Sequence, residues 1–420
     1  MIKDISTLNR RTVLKGAGAL IATTPLALPA VVRAQPSGPI RIGVPTILSG
    51  PVALIGTSST AAVQMEVDDF NSAGGLDGRM IELIIRDTKG RADEGARVAR
   101  EFSNDGVDLI LDCEASTAAF AIHEIVRDNG MLCIHGISET AELTADPKMQ
   151  IPNAFRSSIQ AIHEAAGSAA YIADTLKAKG ITKIATIAPD YVHGRGYTAD
   201  TIMAVQRVYP ELEVVSQVWT KLGQPDFIDV INRITQDNPP AIWSSLFGGD
   251  IISFMEQGGL YGLFDNIEWF LPGLGDIPAA AAVKQLPAGL HIGIRSHSDY
   301  PATQSNRDWH AAYRRKTNSF ATSWAWHAAA GMRFYIEAIR KAATTDQKAV
   351  AEALRGMRIE APWGTDGTLL MREGDQTCVE YAAGWGKSVP EEPYLVDPVG
   401  SDWKVIYEVE EIWKKEKGFA

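Results

Sequence analysis

The stretch IRIGVPTILSGPVALIG at residues 40–56 and the stretch DFNSAGGLDGRMIELIIRD at residues 69–87 decide the fold. The apolar residues 40–46 predict a strand, which a glycine-proline turn ends. A helix is predicted over 58–71, and the glycines after it supply the left-handed backbone of a helix stop. A second strand follows over 80–86. Strand, helix and strand in this order predict a βαβ unit and a parallel sheet.

The same alternation continues and then restarts. Strands are predicted over 107–111 and 131–135, and helices over 93–103 and 117–129. After Arg156 a second series begins, with strands predicted over 183–188, 212–218, 241–246 and 267–271. Two successive series of similar size predict two α/β lobes rather than one very wide sheet.

The last third of the chain is less regular. A strand is predicted over 290–294, helices over 306–317 and 324–343, and glycine- and tryptophan-rich strands beyond residue 362. The charged segment 405–417 is expected to be a solvated tail.

The N-terminus has the pattern of an export signal. Arg10 and Arg11 precede an uncharged apolar run from Gly16 to Leu28, and small residues follow around Ala34. This order predicts a removable twin-arginine-type signal peptide over 1–34 and a periplasmic mature protein. A membrane anchor is the less favoured alternative, because the apolar run is short for a bilayer span.

The charge of the chain argues against a nucleic-acid partner. The formal net charge is −11, and residues 1–34 hold five basic side chains against one acidic one, so the remainder is more acidic still. Binding to phosphates requires a basic surface, which this composition does not favour.

The three cysteines, Cys113, Cys133 and Cys378, leave two possibilities open. An exported protein can form disulfides, and an odd count leaves at least one free thiol. Cys113 and Cys133 could therefore form a disulfide or remain buried thiols. Without a CxxC motif or a cluster of cysteine and histidine, no metal site is expected.

Sequence signatures of enzymes are missing where they would be expected. His123-Glu124 and His163-Glu164 each begin a zinc-binding helix motif, but no histidine stands four residues after either one. Neither a GxSxG elbow nor a phosphate-binding loop is present. We expect neither catalysis nor a cofactor, although catalytic groups can also assemble from distant positions.

Several motifs resemble one family when their order and spacing are considered together. They are DFNSAGGLDGR at 69–79, AELT at 141–144, PDY at 189–191, SSLFGGD at 244–250 and PWGTDG at 362–367. In this order they resemble the leucine/isoleucine/valine-binding protein family, the type I periplasmic solute-binding proteins of ABC transporters. The resemblance covers residues 39–386.

The resemblance implies two doubly wound α/β lobes joined by a three-crossing hinge. Lobe 1 is expected to comprise 39–157 and 290–361, and lobe 2 to comprise 158–289 and 362–420. The ligand is expected between the lobes, at the carboxyl ends of the strands, where closure would bury it.

Loops of the first lobe supply the first set of expected ligand contacts. Ile55 stands where the family often has an aromatic ring, and a core position is the alternative. A hydroxyl and free backbone N–H groups at a helix start are expected to hold a carboxylate or carbonyl, although these residues could also serve only as a cap. A further loop offers a carbonyl and a hydroxyl, with Glu139 either in the pocket or at its rim. The expected residues are Ile55, Ala115, Ser116, Thr117, Ile137, Ser138 and Glu139.

The second set is expected mainly from loops of the second lobe. His193 replaces an aromatic residue of the family, Phe247 is expected to pack on the ligand, and Trp324 lies either in the cleft or in the core. The carboxylate that holds an amino acid's ammonium in the family is replaced by Leu274, and Asp276 is two residues further on. The expected residues are Tyr191, His193, Phe247, Gly248, Asp276 and Trp324.

These expectations predict a monomeric binding subunit of an ABC importer that delivers a ligand to a permease. Because the ammonium-binding carboxylate is displaced, the ligand can be an amino acid, an amide or another small carboxylate. A ligand-sensing protein on the same fold is the alternative, and a periplasmic hydrolase is a third possibility.

Overall fold

The computed structural model describes residues 38–50 and 52–419, so the predicted signal peptide lies outside it. Within the described residues, no helix combines the length and the apolar character that crossing a bilayer requires.

The first sheet is built from the apolar strands predicted at the start of the chain. It contains β1 (Ile40–Thr46), β2 (Ile81–Asp87), β3 (Leu109–Asp112), β4 (Cys133–His135) and β5 (Ala154–Arg156). These strands are parallel and lie in the order β2-β1-β3-β4-β5. Strands β1, β3, β4 and β5 are almost wholly buried, as helices on both faces of a parallel sheet require.

Helices connect these strands. They are α1 (Leu54–Ser72), α2 (Ala92–Asp105), α3 (Ser116–Asn129) and the single turn α4 (Glu142–Ala145). Gly106 and Gly130 follow α2 and α3 with φ of 65°, the left-handed conformation expected at these helix stops.

The second sheet repeats this construction and adds an antiparallel edge. Its parallel strands are β6 (Lys183–Pro189), β7 (Glu213–Thr220), β8 (Ala241–Ser244), β9 (Glu268–Leu271) and β10 (His291–Ile294). The helices of this lobe are α5 (Ala161–Ala178), α6 (Val192–Val208), α7 (Ile228–Asp237), α8 (Gly248–Gly259) and α9 (Ile277–Ala282).

The remaining segments complete both lobes. Helices α10 (Gln304–Thr317), α11 (Ser323–Ala342) and α12 (Gln347–Leu354) precede a small antiparallel sheet of β11 (Arg358–Glu360), β12 (Thr368–Met371) and β13 (Cys378–Val379). The second sheet ends with β14 (Gly384–Ser388) and β15 (Leu395–Gly400), in the order β15-β14-β10-β9-β8-β6-β7. Helix α13 (Trp403–Lys417) closes the chain.

Two sheets with three passages of the chain between them confirm the predicted fold class. The passages follow β5, β10 and β13. The expected position of the second passage needs correction, because β10 pairs with β9 and β14 and therefore belongs to lobe 2.

The third passage also lies later than expected. Strand β11 pairs with β12, so the chain cannot leave lobe 1 at residue 361. Trp363, Leu369 and Tyr381 accordingly pack in the same hydrophobic core as the helices of lobe 1. The pairing of strands, which composition alone does not reveal, sets both boundaries.

The charged C-terminal segment is a packed helix rather than the solvated tail we expected. Along α13, Ile406, Glu410 and Trp413 are buried. Their spacing of three to four residues places them on one face of the helix, with the charged residues between them on the other face.

The three cysteines are buried and free. Of the two possibilities for Cys113 and Cys133, the structure contains the pair of buried thiols. Burial raises the pKa of each cysteine thiol, which keeps them in the unreactive protonated form.

Candidate functional site

A cavity lies where the carboxyl ends of the two sheets meet. Its walls come from segments that follow β1, β3 and β4 in the first sheet and β6, β8, β9 and β10 in the second, together with the start of α11. It encloses ≈ 480 Å³, including its open mouth. This edge is where open α/β sheets bind ligands.

Hydroxyl groups and a helix start form the polar part of the first-lobe wall. Ser116 opens α3, and the Ser138 hydroxyl donates to Ser116 Oγ at 3.2 Å. The carbonyl of Ser138 accepts from Arg156 Nη1 at 2.7 Å and from Ser158 Oγ at 2.6 Å, which fixes the loop. The Ser116 hydroxyl hydrogen is thereby left for another acceptor.

Three helices begin at the cavity. Ala115, Tyr191 and Phe247 are the residues immediately before α3, α6 and α8, and all three line the wall. The first N–H groups of a helix have no acceptor within the helix, and its dipole is positive at that end. The convergence of three such ends favours a carboxylate or a carbonyl oxygen.

Aromatic and aliphatic side chains form the rest of the walls. The Phe247 ring centroid lies 5.9 Å from that of Trp324 at an angle of 70°, and 6.3 Å from that of Tyr191. Ile55 and Ile137 also line the cavity. These walls suit the apolar body of a small molecule, since burial of apolar surface is favourable and nondirectional.

A buried charge cluster lies at the cavity. Arg295 binds Glu139, binds Glu164 at 2.7 Å and lies 3.3 Å from Asp276. Burial, Glu164 and Asp276 raise the pKa of Glu139 to about 8, although Arg295 acts in the opposite direction. Three carboxylates around one guanidinium leave the cluster rich in acid, which favours the protonated form of Glu139 more than in an ordinary carboxyl group.

His193, on the second-lobe wall, combines burial with an incomplete set of hydrogen-bond partners. Its Nε2 lies 3.5 Å from Glu139 Oε2, whereas its buried Nδ1 has no hydrogen-bond partner among the described residues. Burial and the charges of Arg295 and Arg156 lower the pKa of His193 to about 3, so the ring is neutral. The hydroxyl of Ser245 is likewise buried and without a partner in the described part of the chain.

Most of the residues expected from the sequence come together in this cavity. Glu139, whose position in the pocket or at the rim was open, is part of the lining. The expected residues among the lining are Ile55, Ala115, Ser116, Ile137, Ser138, Glu139, Tyr191, His193, Phe247 and Trp324.

Three expected residues lie outside the lining. Thr117 is exposed to solvent on α3, because consecutive helical residues point in different directions. Gly248 lies in the first turn of α8, behind the lining residue Phe247. Asp276 is buried beside Arg295 and accepts from the Ser323 backbone N–H at 2.5 Å, so it holds the start of α11 rather than facing the cavity.

Four lining residues were not anticipated: Tyr197, Ser245, Gly273 and Arg295. Tyr197 is one helical turn after His193, a spacing that puts both on the same face. At Gly273 a Cβ atom would lie 2.0 Å from the Leu246 carbonyl oxygen, so only glycine fits. The sequence did not indicate Arg295 as a site residue, because β10, which precedes it, was expected in lobe 1.

No group of histidine, cysteine, aspartate and glutamate within the described residues is arranged to hold a metal ion.

Two proteins of known name are similar to this chain in sequence. A Leu/Ile/Val-binding protein of Rhizobium johnstonii, BraC3, is 27% identical over 221 residues, which are 53% of this chain and only 56% of that protein. The leucine-, isoleucine-, valine-, threonine- and alanine-binding protein of Pseudomonas aeruginosa is 24% identical over 335 residues, 78% of this chain and 85% of that one.

A solved structure shares the fold. The solute-binding protein of an ABC transporter from Rhodopseudomonas palustris, in complex with 3,4-dihydroxybenzoic acid, superposes with a TM-score of 0.77 at 21% identity. The superposition covers 86% of this chain and 97% of that one. The family model described as periplasmic binding protein matches residues 39–379. From this match, the motif order and the two-lobed fold, we conclude that the chain belongs to the periplasmic binding protein family.

Proposed function

We propose that this protein is the solute-binding subunit of an ABC importer and captures a small carboxylate or amide that has an apolar body. The observation that carries the proposal is the meeting of three helix N-termini and the Ser116 hydroxyl in a cavity walled by both lobes. Such an arrangement holds an anionic or carbonyl group while apolar side chains cover the remainder.

Names of relatives agree with this ligand class. Relatives are named for binding branched-chain amino acids, and a protein of the same fold is in complex with an aromatic acid. Both kinds of ligand combine a carboxylate with an apolar body. The wall of this cavity, with Phe247 and Trp324 beside Ile55 and Ile137, suits either body.

Capture without chemical change is part of the proposal. The Ser138 hydroxyl hydrogen-bonds to Ser116 rather than to a histidine, so neither serine is paired with a general base. The protein is thus proposed to release its ligand intact. We further assign residues 1–34 as its export signal and the periplasm as its location, with a monomer that docks on a permease.

A thermal-shift experiment tests the ligand class. The probes are L-leucine, 4-methylpentanoate, benzoate, 4-hydroxybenzoate and 3,4-dihydroxybenzoate. A probe present at about 100 times its Kd adds about 2.7 kcal/mol to the free energy of unfolding. At least one probe should raise the melting temperature, and mass spectrometry should recover it unchanged. A chain that none of the five stabilises would refute the ligand class, and a converted probe would refute simple capture.

A further inference from the structure

Two polar atoms of the second-lobe wall lack the partner that buried polar atoms normally have. His193 and Ser245 are 8% and 4% exposed, and both line the cavity. His193 Nδ1 and Ser245 Oγ have no hydrogen-bond partner among the described residues. Leaving such a group unsatisfied is unfavourable, so its presence in a binding cavity indicates a partner on the ligand.

These two atoms are separate from the hydroxyl groups of the first-lobe wall. Ser116 and Ser138 follow β3 and β4 of the first sheet, whereas His193 and Ser245 follow β6 and β8 of the second. Aromatic and aliphatic side chains line the same cavity. A ligand whose single polar end pairs with the Ser116 hydroxyl would therefore leave His193 Nδ1 and Ser245 Oγ buried without partners.

The surroundings of His193 show what it can offer. Glu139 lies beside Nε2, and the other oxygen of Glu139 is bound by Arg295. Tyr191 and Tyr197 flank the ring, with centroids 5.9 and 5.4 Å away. A neutral imidazole carries one donor and one acceptor nitrogen. Nδ1 can consequently pair with a hydroxyl group or an amine of the ligand. Both groups can donate a hydrogen bond, and the hydroxyl group can also accept one.

We propose that His193 and Ser245 determine specificity for ligands with a second hydrogen-bonding group, a hydroxyl or an amine, in addition to the carboxylate or amide. This inference rests on the proposed function and narrows it. The predicted ligands are hydroxy- or amino-substituted small acids or amides, and the unsubstituted analogues are predicted to bind poorly.

Matched pairs of probes test the assignment by titration calorimetry. Benzoate is compared with 4-hydroxybenzoate and 3,4-dihydroxybenzoate, and 4-methylpentanoate with L-leucine. Within at least one set, the wild-type protein should bind a substituted member about tenfold or more tightly than the unsubstituted one, because the latter leaves buried polar atoms unpaired.

Variants connect this preference to the two residues. His193→Phe keeps a planar ring and removes both nitrogens, and it should lower the preference at least about fivefold by weakening the substituted probe. Ser245→Ala removes one oxygen and should likewise lower the preference for substituted over unsubstituted probes. This second variant tests the assignment even if His193→Phe does not fold. Val192→Ala is the matched control, since Val192 is exposed beside His193 and outside the lining.

The outcomes separate this inference from the proposed function. If the wild type binds both members of every set equally, or if both variants weaken both members equally, the specificity assignment is wrong and the binding function stands. If no probe binds the wild type, the ligand class and the assignment both fail.

Discussion

The described residues contain several buried pairs of a carboxyl group and a histidine, and two of them differ in one respect. In the core of lobe 1, His135 Nδ1 lies 2.6 Å from Asp112, and its Nε2 lies 3.0 Å from His123 Nδ1. His123 Nε2 in turn lies 2.7 Å from the Met149 carbonyl oxygen. In the cavity, His193 is 3.5 Å from Glu139 and its second nitrogen has no partner within the described chain.

The difference separates a structural role from a binding role. Every ring nitrogen of the His135–His123 chain has a partner inside the protein, so that chain ties β3, β4 and α3 together. His193 has the same chemistry and comparable burial but an unfilled hydrogen-bonding position on the cavity wall. Between these two histidines, the residue type and the burial are alike, whereas the completeness of the partners and the position on the cavity wall differ, which supports the binding role proposed for His193.

The largest expected effect comes from the same substitution at each histidine. His135→Phe should lower the free energy of unfolding by about 2–4 kcal/mol, because it removes the partner of two buried atoms, Asp112 Oδ2 and His123 Nδ1. His193→Phe in the ligand-free protein should change it by less than about 1 kcal/mol, because its Nδ1 has no partner to lose. Urea unfolding of both variants measures the difference, and equal losses would remove the distinction.

The next effect concerns the apolar wall of the cavity beside His193. Phe247→Ala should weaken binding of the tightest of the five probes by about 1–3 kcal/mol, through loss of apolar contact. Titration calorimetry measures this change. Tyr261→Ala is the control, because Tyr261 is 57% exposed and outside the lining. Unchanged affinity in Phe247→Ala would take Phe247 out of the site.

A third buried acid, Glu114, extends the comparison to the pH dependence of stability. Burial raises the pKa of Glu114 from its ordinary value of 4.5 to about 8, while a hydrogen bond from Thr88 opposes the rise. Its Oε2 is buried without a partner among the described residues, so the folded protein holds a proton that the unfolded chain releases. Its contribution to stability is complete below about pH 4.5 and is lost as the pH rises towards about 8.

Glu114→Gln, which stays neutral, should therefore make the decline in stability between pH 5 and 8 less steep, by about 1 kcal/mol per pH unit at most. Urea unfolding across this pH range measures the slope. The exposed residue Glu352, changed to Gln, serves as the control. Parallel curves for wild type and Glu114→Gln would show that Glu114 does not take up a proton on folding.

The smallest effect distinguishes two neighbouring hydroxyls. Ser116→Ala should weaken binding of the tightest probe by about 1 kcal/mol, the value of one hydrogen bond, whereas Thr117→Ala should change it by less than about 0.3 kcal/mol. The two variants differ by one position on α3, and calorimetry compares them directly. A larger loss from Thr117→Ala would return that exposed side chain to the site.

Between residues 40 and 271 the sequence predicted all strands except β5 and all helices except the single turn α4, because the apolar runs there are local and are bounded by glycine or proline. It placed β10 in the wrong lobe because pairing with β9 and β14 is decided by residues distant along the chain. That error also concealed Arg295, which directly follows β10 and lines the cavity.

Within the site, the sequence indicated which loops meet but not which way each side chain points. Ser116 and Thr117 are adjacent hydroxyl residues at a helix start, and only the helix geometry separates the lining residue from the exposed one. Asp276 was near the expected position in the chain, yet the guanidinium of Arg295 and the start of α11 hold it. Contacts between distant segments decide such orientations.

Helix α13 joins the two lobes through side-chain bonds to both of them. Glu410 binds Arg372, which directly follows β12 of lobe 1, and Trp413 donates to Asp200 of α6 in lobe 2. Trp403 donates to the Tyr381 carbonyl oxygen at the third passage of the chain. The lobes are thus fastened along the edge that α13 occupies, and separating them there would break these bonds.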